Sequence, residues 1–254
     1  MKTDRIKTIV NLLRQGKTLQ SQDLAKYFGV SAATIRRDFE RLIELGIVRR
    51  FYGGIAPAEN CADPAVPLSM RETWEMDIKR KLAMAAVKEL PESGTLFIDG
   101  GTTMAQLGKF LTNPKLRIIS NSIALLHTLS ELPEPHASLF LTGGHYNQTS
   151  GILLGQETVS TIRSRYTDLT VISGTALDSD WVYDYREDAA FVQRAMIENS
   201  ARLLVIADSS KLGKKAFFKS FPVEKISVLI TNASAEKQPV IAALERKKIR
   251  VVQV

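Results

Sequence analysis

Residues 30–42 read VSAATIRRDFERL, and this stretch predicts a capped amphipathic helix. Ser31 suits the N-cap position, because its hydroxyl can accept a hydrogen bond from a free amide of the first turn. Apolar side chains recur at helical spacing and predict a core face, namely Ile35, Phe39, Leu42 and Ile43. Small and basic side chains occupy the rest of the surface, among them Ala33, Thr34, Arg36 and Arg37. A helix of this kind is shaped to enter a groove of DNA.

The sequence on both sides of this helix predicts a winged helix-turn-helix. A helix is expected from about Asp4 to Arg14, followed by a short extended piece over residues 17–19. Ser21 can cap a second helix over residues 22–28, and Gly29 makes the turn into the helix described above. Two short extended pieces within residues 47–55 include Arg49 and Arg50 and predict a basic β-wing.

The positive charge of the chain is concentrated near its N-terminus. The chain has 254 residues, 44% of them hydrophobic, and a formal net charge of +7. Residues 1–60 hold 11 Lys and Arg against 6 Asp and Glu, whereas residues 61–254 hold 23 against 21. A small basic domain beside a nearly neutral larger one indicates a nucleic-acid reader joined to a domain with another task.

Several classes of protein are disfavoured by the sequence. No apolar run approaches the length of a membrane span, and the chain begins with polar residues, so we expect no membrane partner and a cytoplasmic location. The single cysteine, Cys61, can form no internal disulfide. Three scattered histidines predict no metal site, and we expect no cofactor, since neither phosphate-loop nor dinucleotide fingerprints are present.

The rest of the chain predicts an α/β domain. Prolines within residues 57–70 indicate a linker between a DNA-binding domain, residues 1–56, and a second domain, residues 71–254. A long helix is expected at about residues 71–90. Strands are then predicted at 96–98, 116–119, 138–141, 169–172, 203–206, 228–230 and 249–252, and helices near 103–111, 123–131, 155–163, 188–200 and 236–246. This alternation is typical of a mostly parallel sheet covered on both faces.

Polar and glycine-rich clusters follow several of these strands, where ligands bind in parallel sheets. The candidate effector-binding residues in these clusters are Asp99, Gly101, Thr102, Thr103, Asn121, Ser122, Gly143, Gly144, Asp208 and Lys211. Gly174-Thr175 follows another strand in the same way. Any one cluster is more often an ordinary loop, but their recurrence at strand ends predicts a pocket for a small phosphorylated polyol.

Both halves resemble the DeoR-type bacterial transcriptional regulators. The resemblance rests on Ser31 to Phe39, on Arg49-Arg50 and Gly53-Gly54, and on Asp99 to Thr103, Ser120 to Ser122, Thr142 to Gly144 and Asp208 to Gly213. It implies a C-terminal sensor similar in fold to ribose-5-phosphate isomerase, with phosphorylated sugars as effectors.

The chain also departs from the pattern of that family in three places. The usual Lys-Arg-Ala-Met stands as Gln193-Arg194-Ala195-Met196, and the usual Ile-Thr-Asp stands as Ile230-Thr231-Asn232. The loop over residues 178–185 lacks a glycine and carries aromatic residues instead. If those aromatics line the pocket, they would alter its sugar end and leave the phosphate end to Gly101, Thr102, Thr103 and Lys211.

We therefore expect a sequence-specific regulator, a repressor of a carbohydrate-metabolism operon that a phosphorylated sugar releases from double-stranded operator DNA. Ala33, Thr34 and Arg37 are expected nearest to base edges. The remaining predicted DNA contacts, several of them to phosphates, are Ser21, Gln22, Ser31, Arg36, Arg49 and Arg50. Because one helix-turn-helix covers one half-site, a homo-oligomer is expected.

Two alternatives remain open at this point. One is a sugar-phosphate isomerase-like enzyme in which Asp99, Asp208 and Lys211 transfer protons and the DNA-binding domain is auxiliary. We expect no catalytic residues, because an attached DNA reader favours sensing over turnover. The other alternative keeps DNA binding but assigns activation, or a ligand without phosphate.

Overall fold

The computed structural model describes residues 2–14, 18–44, 48–57, 68–71, 75–232 and 235–254. The chain divides into two compact units, Met1–Trp74 and Glu75–Val254. Most of the predicted linker, including Cys61, lies outside the described residues. Among the described residues, no helix combines the length and the apolar character that crossing a membrane would take.

The first unit contains the predicted order of helix, short strand, helix, turn, helix and two-stranded wing. Its elements are α1 (Lys2–Arg14), β1 (Leu19–Gln20), α2 (Ser21–Phe28), α3 (Ala32–Glu44), β2 (Val48–Phe51), β3 (Gly54–Pro57) and a short α4 (Leu68–Arg71). The three strands form an antiparallel sheet in the order β1-β3-β2. The prediction of a winged helix-turn-helix is therefore confirmed.

One apolar core joins these elements. Side chains from both ends of the unit are buried in it, among them Ile6, Ile9, Val10, Leu13, Leu24, Ile35, Phe39, Leu42, Val48 and Ile55. Ser31 caps α3 as predicted, since its Oγ accepts the Thr34 amide at 3.2 Å. The predicted cap at Ser21 is wrong: α2 begins at Ser21 itself, and Gln20 precedes it without a side-chain cap.

The second unit is built on seven parallel strands. These are β4 (Gly94–Ile98), β5 (Leu116–Ser120), β6 (Ser138–Leu141), β9 (Leu169–Ser173), β12 (Leu203–Ile206), β14 (Val228–Thr231) and β15 (Arg250–Gln253). Their order across the sheet is β15-β14-β12-β9-β4-β5-β6, with every neighbouring pair parallel. All seven predicted strands are present, and the α/β fold class is confirmed.

Helices cover both faces of this sheet. They are α5 (Met76–Val87), α6 (Thr102–Gly108), α7 (Ile123–Ser130), α8 (Gln156–Arg163), α9 (Glu187–Glu198) and α10 (Gln238–Arg246). Leu96 and Ile98 face the core beneath α5, α6 and α7, whereas Phe97 faces α8 and α9. This follows from the two-residue alternation of a strand.

One predicted helix has the wrong extent. The expected helix at about residues 71–90 is two elements, since Arg71 ends α4 and α5 covers only Met76–Val87. Glu75 lies at the N-cap position of α5 with a left-handed φ of 49°, which is incompatible with an uninterrupted helix.

Two antiparallel pieces were not predicted. Strands β7 (His145–Asn147) and β8 (Ile152–Leu154) form a hairpin. Strands β10 (Ala176–Leu177), β11 (Trp181–Asp184) and β13 (Phe218–Pro222) form a three-stranded sheet. The loop of residues 178–185 is therefore largely a hairpin, whose turn forms where Asp178 Oδ1 accepts the amides of Asp180 and Trp181 at 2.9 Å each.

Candidate functional site

The polar face of α3 is open to solvent. Most of its predicted DNA contacts are exposed, namely Ser31, Ala33, Arg36 and Arg37, while Thr34 is half-buried. The Ser31 and Thr34 hydroxyls lie 2.9 Å apart, so the cap also orients the Thr34 side chain. This face presents the guanidinium groups of Arg36 and Arg37 on a helix whose N-terminus is capped by Ser31.

Asp38 lies within the same helix but points into the protein. Its Oδ2 accepts the Arg5 Nε at 2.6 Å, and only 2% of its side chain is exposed. This buried ion pair ties α1 to α3. The sequence reasoning assigned Asp38 no role, although a charge between Ile35 and Leu42, on the core side of the helix, was a signal that it needs a buried partner.

The wing is attached to the start of α2. The Ser21 amide donates to Gly53 O at 3.1 Å, and a Cβ at Gly54 would lie 2.1 Å from Leu19 O. Ser21 and Gln22 are the two residues at the start of α2 that were predicted to contact DNA. Ser21 is buried, whereas Gln22 is exposed. Strands β1 and β3 can approach this closely only because residue 54 is glycine.

Basic and aromatic side chains project from the wing. Arg49 and Arg50 are exposed on β2, and Tyr52 at the turn is fully exposed. Arg50 also lies 3.7 Å from Glu40 of α3, so the wing and the helix meet through charged groups at the surface.

The second candidate site lies at the centre of the parallel sheet. From β4 the chain runs outward through β5 and β6, and from the neighbouring β9 it runs the other way through β12, β14 and β15. Ligands bind at such a switch point, beyond the carboxyl ends of the two central strands. The residues that follow these strands are Asp99 to Thr103 after β4 and Gly174-Thr175 after β9.

Asp99 belongs to a buried polar cluster at this point. Gln193 Nε2 of α9 donates to Asp99 Oδ2 at 3.0 Å and lies 3.4 Å from Asp184 Oδ2. Burial raises the pKa of Asp99 to about 6, against the lowering effect of hydrogen bonds from Gly100 and Gln193. Burial likewise raises the pKa of Asp184. One amide thus bridges two buried carboxyl groups.

Further side chains complete this cluster. Thr175 Oγ1 donates to Asp184 Oδ2 at 3.1 Å, and Ser220 Oγ donates to Gln193 Oε1. The latter bond turns the amide nitrogen of Gln193 toward the carboxylates. Asn121 is fully buried, and its Oδ1 has no hydrogen-bond partner among the residues that the structure describes.

The other predicted effector residues have local contacts of their own. Ser122 Oγ caps α7 by accepting the Leu125 amide at 3.1 Å. Gly143 O accepts a hydrogen bond from Thr158 Oγ1 at 2.7 Å, and a Cβ at Gly144 would lie 2.2 Å from that same hydroxyl oxygen. The contacts of these two glycines are with α8 and β8, on the side of β6.

Asp208 caps a 3-10 turn after β12, Ser209–Lys211, which ends at Lys211. Asp208 Oδ1 accepts the Ser210 amide at 2.9 Å, and Ser209 exchanges hydrogen bonds with Asn232 at 2.6 and 2.9 Å. Asn232 is one of the departures from the family pattern. It holds this turn through both the oxygen and the nitrogen of its side-chain amide.

Two of the three aromatic residues of the 178–185 hairpin line a different concavity. Trp181 and Tyr183 lie in a groove of about 380 Å³ with Asp178, Asp180, Lys215, Ala216, Phe217 and Lys219. Tyr183 donates to Asp178 Oδ2 at 2.7 Å, and burial together with this bond raises its pKa to about 12. Asp184, one residue further on, joins the Asp99 cluster instead.

Comparison with known proteins connects both units to one family. The "DeoR-like helix-turn-helix domain" matches residues 5–60, and the "DeoR C terminal sensor domain" matches residues 74–233. The chain belongs to the DeoR family. It is a DNA-binding transcription regulator whose two units correspond to a reader and a sensor.

Two repressors of other organisms align with nearly the whole chain. The glycerol-3-phosphate regulon repressor of Haemophilus influenzae is 30% identical over 98% of this chain and 95% of its own. The repressor of that name from Escherichia coli K12 is 29% identical over 91% of each chain. Ribose 5-phosphate isomerase A from Methanocaldococcus jannaschii covers 54% of each chain with a TM-score of 0.40 and 15% identity, which is too distant to bear on function.

Three members of the buried Asp99 cluster were not predicted from the sequence. Asp184, Gln193 and Ser220 were not among the predicted residues, although Gln193 was noted as a departure from the family pattern. Among the residues that the structure describes, no three His, Cys, Asp or Glu side chains lie together as a set of metal ligands.

Proposed function

We propose that this chain represses a carbohydrate-metabolism operon and that a phosphorylated sugar releases it from operator DNA. In this proposal residues 1–56 bind DNA and residues 71–254 sense the effector. Residues 57–70 are the linker between these two domains. The observation that carries it is the exposed basic face of α3 beside a basic wing, joined in one chain to polar loops at a switch point.

On DNA, α3 enters the major groove and the wing contacts the backbone. Ala33, Thr34 and Arg37 read bases, and an Arg bidentate to guanine supplies about 1–3 kcal/mol of discrimination. Arg49, Arg50 and Gln22 hold phosphates, which positions the reader without adding sequence information.

Two variants separate these roles. Arg37→Ala should weaken operator binding much more than binding to random DNA. Arg49→Ala should weaken both alike and reduce the slope of log affinity against log salt by about 1. Titrations of both DNAs over a salt series measure the two effects, and equal losses on both DNAs for Arg37→Ala would exclude base reading.

The effector binds at the carboxyl ends of the central strands. Its phosphate is held by Gly101, Thr102, Thr103 and Lys211, which contribute backbone amides, two hydroxyls and an ammonium group, and its polyol end reaches Asp99 and Asn121. Release requires that the effector favour a state with low affinity for DNA. Operator-bound protein titrated with phosphorylated sugars tests this step, which fails if none of them promotes dissociation.

The repressor acts as a homo-oligomer, because each reader covers one half-site of a symmetric operator. Light scattering at micromolar concentration tests this, and a monomer would contradict it. The protein has no catalytic role in this proposal. Asp208, which the isomerase alternative requires as a proton carrier, is engaged with the Ser210 amide. Turnover of ribose 5-phosphate or a related sugar would refute that part.

A further inference from the structure

Strand β6 is an edge of the seven-stranded sheet. It pairs with β5 on one side, and among the residues that the structure describes no strand pairs with its other side. The Thr142 amide, directly after β6, donates to Ser120 O of β5 at 3.0 Å. Because the amides of successive residues point to opposite sides of a strand, those of Leu139 and Leu141 point to the open edge. This edge therefore offers backbone donors and acceptors to another strand.

Strand β6 is apolar but poorly covered. Three of its four residues are Leu139, Phe140 and Leu141, yet none of the four is fully buried. Each of the five inner strands of the sheet buries at least three residues. Phe140 is in register with Ile119 of β5 and shares its face of the sheet, but Phe140 is 57% exposed and Ile119 only 7%. The core of this chain therefore does not account for the apolar character of β6.

The sequence around β6 carries no charged side chains. Residues 135–156 contain no Asp, Glu, Lys or Arg, although these types make up 24% of the whole chain. Phe140 and Tyr146, which are 57% and 47% exposed, both lie in this stretch. Depletion of charge together with exposed aromatic side chains is typical of the centre of a protein–protein interface.

The opposite edge of the sheet has the protection that β6 lacks. Arg250 is exposed on β15, and Lys247 and Lys248 precede that strand. Proteins commonly use such charged side chains to prevent an edge strand from pairing with another chain. The difference between the two edges favours association at β6 and disfavours it at β15.

We propose that β6 pairs in the antiparallel direction with β6 of a second copy of this chain, so that two sheets become one. A second copy fits because a two-fold axis through the middle of β6 brings together two identical apolar strands with no like charges opposed. With Phe140 facing its own copy, Leu139 of each chain pairs with Leu141 of the other, and about four backbone hydrogen bonds form. The inference rests on the proposed function, since it names the surface through which the expected homo-oligomer forms.

The variant Phe140→Lys tests this surface. It places two ammonium groups opposite each other at the axis and removes a central aromatic contact, so self-association should weaken at least about tenfold. Light scattering over a dilution series of the full-length protein measures this, and circular dichroism checks that the variant is folded. Tyr166→Lys, which replaces another aromatic residue that is 67% exposed, is the matched control and should leave self-association unchanged.

Cysteine substitution tests the register of the two strands in an intact dimer. Residues that face each other outside the hydrogen-bonded pairs have Cα atoms about 4.5 Å apart, a distance that a disulfide spans. In a Cys61→Ser background, Phe140→Cys should therefore give a disulfide-linked dimer under mild oxidation. Ser138→Cys, on the same strand and also exposed, should not, because its copy lies four residues away along the pair, at about 13 Å.

The outcomes separate this inference from the proposed function. An oligomer that Phe140→Lys leaves as strong as the wild type would overturn the inference while leaving the homo-oligomer intact. The pairing is also refuted if Phe140→Cys gives no crosslink, or if Ser138→Cys gives an equal one. A wild-type protein that is monomeric would contradict both the inference and the homo-oligomer of the proposed function.

Discussion

Replacement of Asp99 by asparagine measures the cost of holding a carboxylate in the buried cluster. Burial raises the pKa of Asp99 from 3.8 to about 6. At about 1.4 kcal/mol for each pH unit, the ionised form costs the folded protein about 3 kcal/mol. An asparagine side chain of the same shape carries no charge and avoids this cost.

The sign of the pH dependence follows from proton binding. Between pH 3.8 and about 6 the folded state binds more protons than the unfolded state, so the free energy of unfolding falls as pH rises. The charge penalty is about 1 kcal/mol at pH 4.5 and about 3 kcal/mol at pH 7.5. The substituted side chain also loses one acceptor for the Gly100 or Gln193 donors, which costs about 1 kcal/mol at every pH.

We therefore expect Asp99→Asn to match the wild type near pH 4.5 and to be about 2 kcal/mol more stable at pH 7.5. Urea unfolding at several pH values, followed by Trp181 fluorescence in a Trp74→Phe background, measures the difference. Asp77→Asn, at an exposed position in the first turn of α5, is the control and should not gain stability over the wild type as pH rises, since a carboxylate is favourable at the start of a helix. A stability difference that is the same at all pH values would refute the reasoning.

Three further substitutions test the packing described above. Gly54→Ala places a Cβ 2.1 Å from a carbonyl oxygen of β1, and gel-shift titration should show weaker DNA binding because the wing is displaced. Asp38→Ala leaves Arg5 buried without its partner and should destabilise the first unit by about 3 kcal/mol in urea unfolding. Gly144→Ala should lower the melting temperature of the full chain, because its Cβ would lie 2.2 Å from a side-chain oxygen of α8.

The strands and the recognition helix were predictable because their signals are local. Runs such as Leu203–Ile206 are apolar on both faces, which is what a central parallel strand requires. The α3 helix combines a cap, a buried stripe and exposed arginines within 13 residues. By contrast, β10 has only two residues, and strands this short leave no periodic pattern in a sequence.

The candidate site was only partly predictable because its contacts are remote along the chain. The residues after each strand were identified correctly as lying at the carboxyl ends, but the order of the strands came from the structure. Asp99 and Gln193 are 94 positions apart, and no local signal joins them. The contacts of Gly143 and Gly144 with α8 are equally remote along the chain, so the sequence pattern did not show them.

The single core of the first unit bears on how effector binding can change DNA binding. Because α1, α2, α3 and all three strands share that core, and β1 pairs with β3, the described residues of the reader pack as one body. We expect such a body to offer DNA the same surface in every state of the sensor. Half-sites one helical turn apart lie about 34–36 Å from each other. In the proposed homo-oligomer we therefore expect an inducer to act on the spacing and orientation of two intact readers, and mutations that uncouple induction from binding should fall outside the reader's core.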